Sequence, residues 1–247
     1  MIPSDVPGKL AMGVRAPAGV VVGVAPWNAP VILGTRAVAT PLAYANTVVL
    51  KASEICPRTH AAIVHALQDA GLPPGVLNLI TNAPQDAGDV VDELIAHPAT
   101  RRINFTGSTK VGRAEKAGKY LKRVLLELGG KAPLVVLANA DLDRAVAAAR
   151  FGAFFHQGQI CMSTERIIVD RSAAVFSENV PAALELAQRI ESGICHINDT
   201  TVHDEPQMPF GGVKASGFGR FGGRAALEEF TELRWITVQQ LPRHYPI

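Results

Sequence analysis

Residues 20–51 read VVVGVAPWNAPVILGTRAVATPLAYANTVVLK. The Val/Gly run at 20–24 is short and β-branched, as strands are. A helical stretch follows at 28–43, and a second buried strand at 47–51. Outward from this β-α-β unit the alternation continues. A helix is predicted at 57–70, entered through 54–57 with Pro57 and closed by Gly71. A strand at 76–80, a helix around 86–96 and a strand at 102–105 follow, and a helix begins near Ser108. Strands at 124–128 and 134–137 precede an Ala-rich helix at 141–156, which Asp141 is placed to cap. This order predicts an α/β fold with a doubly wound parallel sheet. The tail differs: 209–220 is a Gly-rich loop, and 233–239 alternates as a terminal strand.

The bulk numbers fit one or two globular domains. Of 247 residues, 48% are hydrophobic and 19% charged, with a net charge of +2. Scattered Lys and Arg give no basis for nucleic-acid binding. No apolar run reaches membrane-spanning length, and residues 1–5 lack the pattern of a signal peptide. Cys56, Cys161 and Cys195 are too few and too irregular for a disulfide framework or a metal site. A reducing cytoplasm is the expected compartment.

Individual residues carry two readings each. Cys161 follows a long helix at a glycine-bearing break, so it is either an inert small hydrophobe or a nucleophile that a ligand can approach closely. Cys56 and Cys195 read as structural. Glu127 ends an apolar strand beside Gly129-Gly130, either turned to water or serving as a base in a cleft. Gly107 and Ser108 open a helix whose N-terminus can meet a phosphate, or form an ordinary glycine turn. Lys51 and Glu54, just beyond a strand, could hold a ribose or be a solvated pair. Asn28 reads as a helix cap or a ligand.

Taken together, six motifs resemble the signatures of the aldehyde dehydrogenase family, in the family's order. They are PWN at 26–28, KxxE at 51–54, FTGS at 105–108, ELGGK at 127–131, GQxC at 158–161 and PFGGxKxSGxGR at 209–220. The surrounding text, including VLKASEICPRTH, ESGICHIN and TVHDEPQMPFGGVKASG, looks like the branch that oxidises salicylaldehyde and vanillin.

The resemblance implies a Rossmann-like cofactor domain at 25–128, a reduced catalytic domain at 129–229, and a β arm for oligomerisation. That arm comprises a hairpin within 1–24 and a strand and tail at 230–247. It implies Cys161 as nucleophile, Glu127 as water-activating base, and Asn28 with the Cys161 backbone N–H as oxyanion donors. Ala25, Pro26, Trp27, Lys51, Ser53, Glu54, Gly107, Ser108, Leu128 and Gly129 would contact the cofactor, NAD rather than NADP. Ala29, Leu33, Arg36, Ile160 and Phe210 would line the pocket of a small aldehyde. A homo-oligomer is implied, and no metal. Cys161 should have its pKa lowered by a helix N-terminus or backbone donors.

Two points concern the family's pattern. The chain begins at the family's hairpin, without the portion that normally precedes it. After 169–172 it passes directly into text resembling a much later stretch, so the family's ExFGP block, whose glutamate holds the nicotinamide ribose, has no counterpart. Arg36 poses a separate question. If Asn28 opens the helix, Ala29, Leu33 and Arg36 share a face. The guanidinium then either recognises a ring hydroxyl, or stacks on the ring, or turns outward to water or a carboxylate.

Overall fold

The computed structural model describes residues 4–112, 120–169 and 176–242. Its centre is a six-stranded sheet built from β2 (Val20–Val24), β3 (Thr47–Lys51), β4 (Leu77–Ile80), β5 (Thr100–Thr106), β6 (Arg123–Glu127) and β9 (Gly217–Phe218). The spatial order is β4-β3-β2-β5-β6-β9. The first five are parallel, and β9 runs antiparallel to β6, pairing Gly217 with Glu127. The short β9 inside the Gly-rich loop makes the sheet mixed, which the sequence reading did not anticipate.

Helices cover both faces, and the strand residues show why. Val21 and Val22 are adjacent and both fully buried, so β2 has no water-facing side. Val21 packs with Val48, Leu50, Ala37, Val38 and Val64, beneath the helices Pro30–Ala43 and Pro57–Asp69. Val22 packs the other way, with Val24, Ile103, Phe105 and Val91 of the helix Ala87–Ala96. A strand that buries successive side chains on opposite faces is the central strand of a doubly wound sheet.

The helix after β2 starts two residues later than expected. Pro30 is its first residue and Ala29 its cap. A residue before proline is pushed out of the helical region, and Ala29 has φ −136 and ψ 65. Asn28 therefore stands clear of the helix.

The helix Leu142–Phe154 begins as predicted, with the Asp141 side chain accepting from the Arg144 N–H at 3.1 Å. It stops short of 156 because His156 and Gln157 turn left-handed. It packs near β7 (Ala132–Val136), which pairs in parallel with β8 (Thr164–Val169), and a bridge joins Val136 to Phe176. The junction expected near 170–174 lies outside the described residues. So does the continuation of the helix expected from Ser108, which is seen as Thr109–Gly112.

The expected N-terminal hairpin does not form. β1 (Lys9–Pro17) pairs along its whole length with β10 (Thr231–Gln239), while β2 enters the central sheet. The buried Val-rich strand wins the sheet, and β1 takes the other free strand.

Candidate active site

The strand order reverses between β2 and β5: β3 and β4 lie to one side of β2, and β5 and β6 to the other. Open α/β sheets take ligands beyond the carboxyl ends of strands at such a point. Beyond these ends lies a cavity of about 340 Å³. Its wall takes Pro26, Trp27 and Asn28 from after β2, Gly107 and Ser108 from after β5, and Glu127, Leu128 and Gly129 from the end of β6. Leu33, Ile160 and Cys161 also line it, with Glu165. A second cavity of about 470 Å³ shares Glu127, Leu128 and Cys161 and adds Phe210 and Cys195. Glu127 and Cys161 thus stand where the two cavities meet.

Cys161 is delivered by a strained turn. His156, Gln157 and Gly158 have φ of 50, 59 and 71. Left-handed non-glycine residues store about 1–3 kcal/mol each and persist only when their surroundings impose them. The turn brings the Gln159 carbonyl against Asn28, whose Nδ2 donates to it at 2.7 Å. That bond fixes the amide and leaves its second N–H available. The structural contribution of Gln159 is a main-chain one, which leaves no side-chain signal in the sequence.

The half-buried Cys161 thiol lies above its ordinary pKa. Burial is the main cause and the charge of Glu127 the next. The backbone N–H groups of Cys161 and Met162, and Arg36, act against them. This corrects the expectation of a lowered pKa. Among the described residues no helix starts at Cys161, and the two backbone donors present do not offset burial.

Glu127 is 6% exposed, and its Oε1 is buried with no hydrogen-bond partner among the described residues. Burial pushes its carboxyl up to about 8, against Arg36 and Arg220 and with help from Asp204. It is a cleft carboxylate, not a strand-end charge turned to water. It is held mostly protonated at neutral pH and ready to ionise just above it.

The remaining candidates fall around this centre. Lys51 is only 4% exposed and pairs with Glu54, which also accepts from Asn82 at 3.1 Å. They are not the solvated pair that was one reading. Burial pushes the Glu54 carboxyl up, but the Lys51 hydrogen bond and its other partners outweigh this, and it lies below the usual carboxylate range. Ala25 and Ser53 are buried. Ser53 donates its N–H to His60 Nδ1 at 3.1 Å and accepts from the Ile55 N–H at 3.3 Å, so it shapes the turn. Ala29 caps its helix and is on neither cavity wall.

Arg36 is on neither wall either. Its guanidinium pairs with Asp204 and stacks over the Phe210 ring at 4.7 Å and the Phe221 ring at 5.3 Å. The carboxylate alternative is the one realised, because a cation on an apolar face needs a partner. Cys56 is half-buried at a helix cap, whereas Cys195 is exposed and not the core filler expected. Asp204 and Arg220, which face Glu127, were missed.

Comparison with known proteins identifies the family. The model of the aldehyde dehydrogenase family matches residues 1–174 and 171–236, two segments that meet where the sequence passes directly to a later stretch. The chain is similar to a vanillin dehydrogenase of Pseudomonas fluorescens. The two are 46% identical over 361 aligned residues, covering 100% of this chain and 75% of the relative. A salicylaldehyde dehydrogenase of Pseudomonas putida is 35% identical over 360, covering 99% and 74%. The alignments exceed the 247 residues of the chain, so a block of each relative has no counterpart here. The crystal structure of a salicylaldehyde dehydrogenase from Pseudomonas putida G7, complexed with salicylaldehyde, superposes with a TM-score of 0.96 at 35% identity. That match covers 100% of this chain and 75% of the other. The chain belongs to the aldehyde dehydrogenase family.

Proposed function

We propose that this chain oxidises aromatic aldehydes to carboxylic acids with a nicotinamide dinucleotide, through a covalent intermediate on Cys161. The observation that carries the reading is the convergence of Cys161, Glu127 and Asn28 on one cavity at the sheet's reversal point. The names of the similar proteins, vanillin, salicylaldehyde and benzaldehyde dehydrogenases, support an aromatic substrate.

The crevice suits the pyrophosphate and nicotinamide part of a dinucleotide, while Lys51, Ser53 and Glu54 lie off its wall, at the end of β3 and in the turn after it. Gly107 and Ser108 line it at the strand end, and a Cβ added at Gly129 would meet open space. Trp27 and Pro26 would flank the cofactor, with Ser108 toward its pyrophosphate and Lys51 and Glu54 toward the adenosine ribose. The ionised Glu54 accepts from a 2′-hydroxyl and repels a 2′-phosphate, which favours NAD over NADP, while Lys51 softens the preference. When bound, the cofactor supplies the acceptor for the hydride leaving the aldehyde carbon.

The chain's own groups do the rest. The Cys161 thiolate adds to the carbonyl carbon, and the oxygen takes the displaced electron pair as an oxyanion. In this mechanism the second Asn28 N–H and the Cys161 backbone N–H would take that charge, which exists only after attack. Once a thioester stands on Cys161, Glu127 in its carboxylate form takes a proton from water. The resulting hydroxide adds to the thioester carbon and expels the thiolate.

Assembly belongs to the same proposal. The β1–β10 ribbon exposes Leu233, Trp235 and Val238, with Trp235 at 78%. We assign this ribbon to a homo-oligomer contact. Three free thiols support a cytoplasmic setting. Among the described residues no helix is long and apolar enough to cross a membrane.

A second reading has its own observation. Ile167, Ile168 and Val169 of β8, with Phe151 and Phe154 of the neighbouring helix, are exposed. Apolar exposure on this scale suits a non-catalytic form that docks on other subunits. Formation of reduced cofactor from benzaldehyde and NAD, beside a Cys161→Ala control, separates the two. Cys161-dependent absorbance supports oxidation, and its absence supports the docking form.

A further inference from the structure

The Gly-rich loop closes over Glu127. Its strand β9 pairs with the end of β6, and Phe210 and Phe221 exchange backbone hydrogen bonds at 2.9 and 2.8 Å. Arg220 laces the loop from within, donating to the Gly212 and Gly219 carbonyls at 2.8 and 2.7 Å. Gly211 lies so near that a Cβ there would sit 3.0 Å from Glu127 Oε1. The base of this loop rests on a residue from another element. Arg36, on the helix after β2, lies across both phenyl rings. Asp204, from the segment just before the loop, holds it. Both side chains are largely enclosed, at 16% and 27% exposed.

We propose that Arg36 and Asp204 form a positioning unit for Glu127. The Asp204 carboxylate pins the guanidinium on the Phe210 and Phe221 rings, and the pinned cation fixes the loop that covers the base. The inference rests on Glu127 being the base and deepens that reading. Neither residue touches the reacting atoms, as neither lines the smaller cavity where Cys161, Glu127 and Asn28 meet. They act through Glu127.

The unit is also a balanced pair of charges facing Glu127, along with Arg220 and the Cys161 thiol. Arg36 favours the carboxylate and Asp204 opposes it. Removing one member therefore moves Glu127 in the opposite direction from removing the other. A pair that served only to fill space would move both variants alike, or neither.

The test is an infrared titration of the whole chain, following the carbonyl band of protonated Glu127, assigned by its loss in Glu127→Gln. The midpoint should rise in Arg36→Leu and fall in Asp204→Asn, each by roughly half a unit to one unit for the loss of one charge facing a partly buried site. Shifts in the same direction, or none, overturn the unit. Should Arg36→Leu fail to fold, the near-isosteric Asp204→Asn decides alone, since an unmoved or raised midpoint overturns it. Absence of any Glu127-dependent band near neutral pH overturns the buried base itself, and the unit with it. A band with unmoved midpoints overturns only the unit.

Discussion

The Asn28 side chain donates to the Gln159 main-chain carbonyl across 2.7 Å, joining the end of β2 to the turn that carries Cys161. One amide N–H sets the geometry, and in the proposed mechanism the other meets the oxyanion. Asn28→Ala should therefore lower aldehyde oxidation by roughly 10²–10³-fold in kcat, the usual effect of losing one such donor. Steady-state kinetics would check it, and a loss below about tenfold would remove Asn28 from the oxyanion site.

The second outcome concerns the thiols. Glu127 raises the Cys161 pKa through its charge, in addition to burial. Glu127→Gln removes the charge and leaves the burial. The pH midpoint for iodoacetamide labelling of Cys161, read by peptide mapping, should then fall. An unchanged midpoint would mean that the two groups do not face one another.

Stability should carry the mark of Glu127 as well. Its folded pKa, about 8, is raised above the usual carboxylate value of about 4.5. Below the lower value both states are protonated, and the stability tied to this group is fully present. As pH rises toward 8 the unfolded chain releases the proton and the folded chain keeps it, so stability falls by at most about 1.4 kcal/mol per pH unit. Above 8 the loss levels off. Thermal melts of the chain and of Glu127→Gln should diverge across this window, with the variant losing less. Parallel curves would contradict the buried, protonated carboxyl.

Assembly gives the fourth. Trp235 and Leu233 stand exposed on the β1–β10 ribbon, where apolar side chains invite another copy. Trp235→Lys should reduce the mass measured by light scattering at a fixed concentration. A parent chain that is already monomeric would overturn the homo-oligomer, and a variant that assembles equally would place the contact elsewhere.

What the sequence could reveal follows from the range of each interaction. The central β-α-β unit was legible because Val21 and Val22 bury opposite faces, and that demand is written in adjacent residues. The late start of the following helix was legible too, in Pro30, but Asn28 as a plausible cap obscured it. The pairing of Lys9–Pro17 with Thr231–Gln239 was not, because strand partners far apart in the chain leave no local signal. Likewise Arg36 looked like a pocket residue from helix spacing alone. Its partner Asp204 is 168 residues away, and only the folded chain brings them together. The motifs named Cys161, Glu127 and Asn28, yet the raised thiol pKa comes from burial, which no motif records.

The central claim is that Cys161 attacks the aldehyde and Glu127 releases the product. Glu127→Gln protein should therefore stall after the first half of the reaction. It would be mixed with benzaldehyde and NAD, quenched in acid and mapped by mass spectrometry. The account predicts a benzoyl thioester on the Cys161 peptide, with Cys56 and Cys195 unmodified. An unmodified Cys161, or equal acylation of all three thiols, would contradict it.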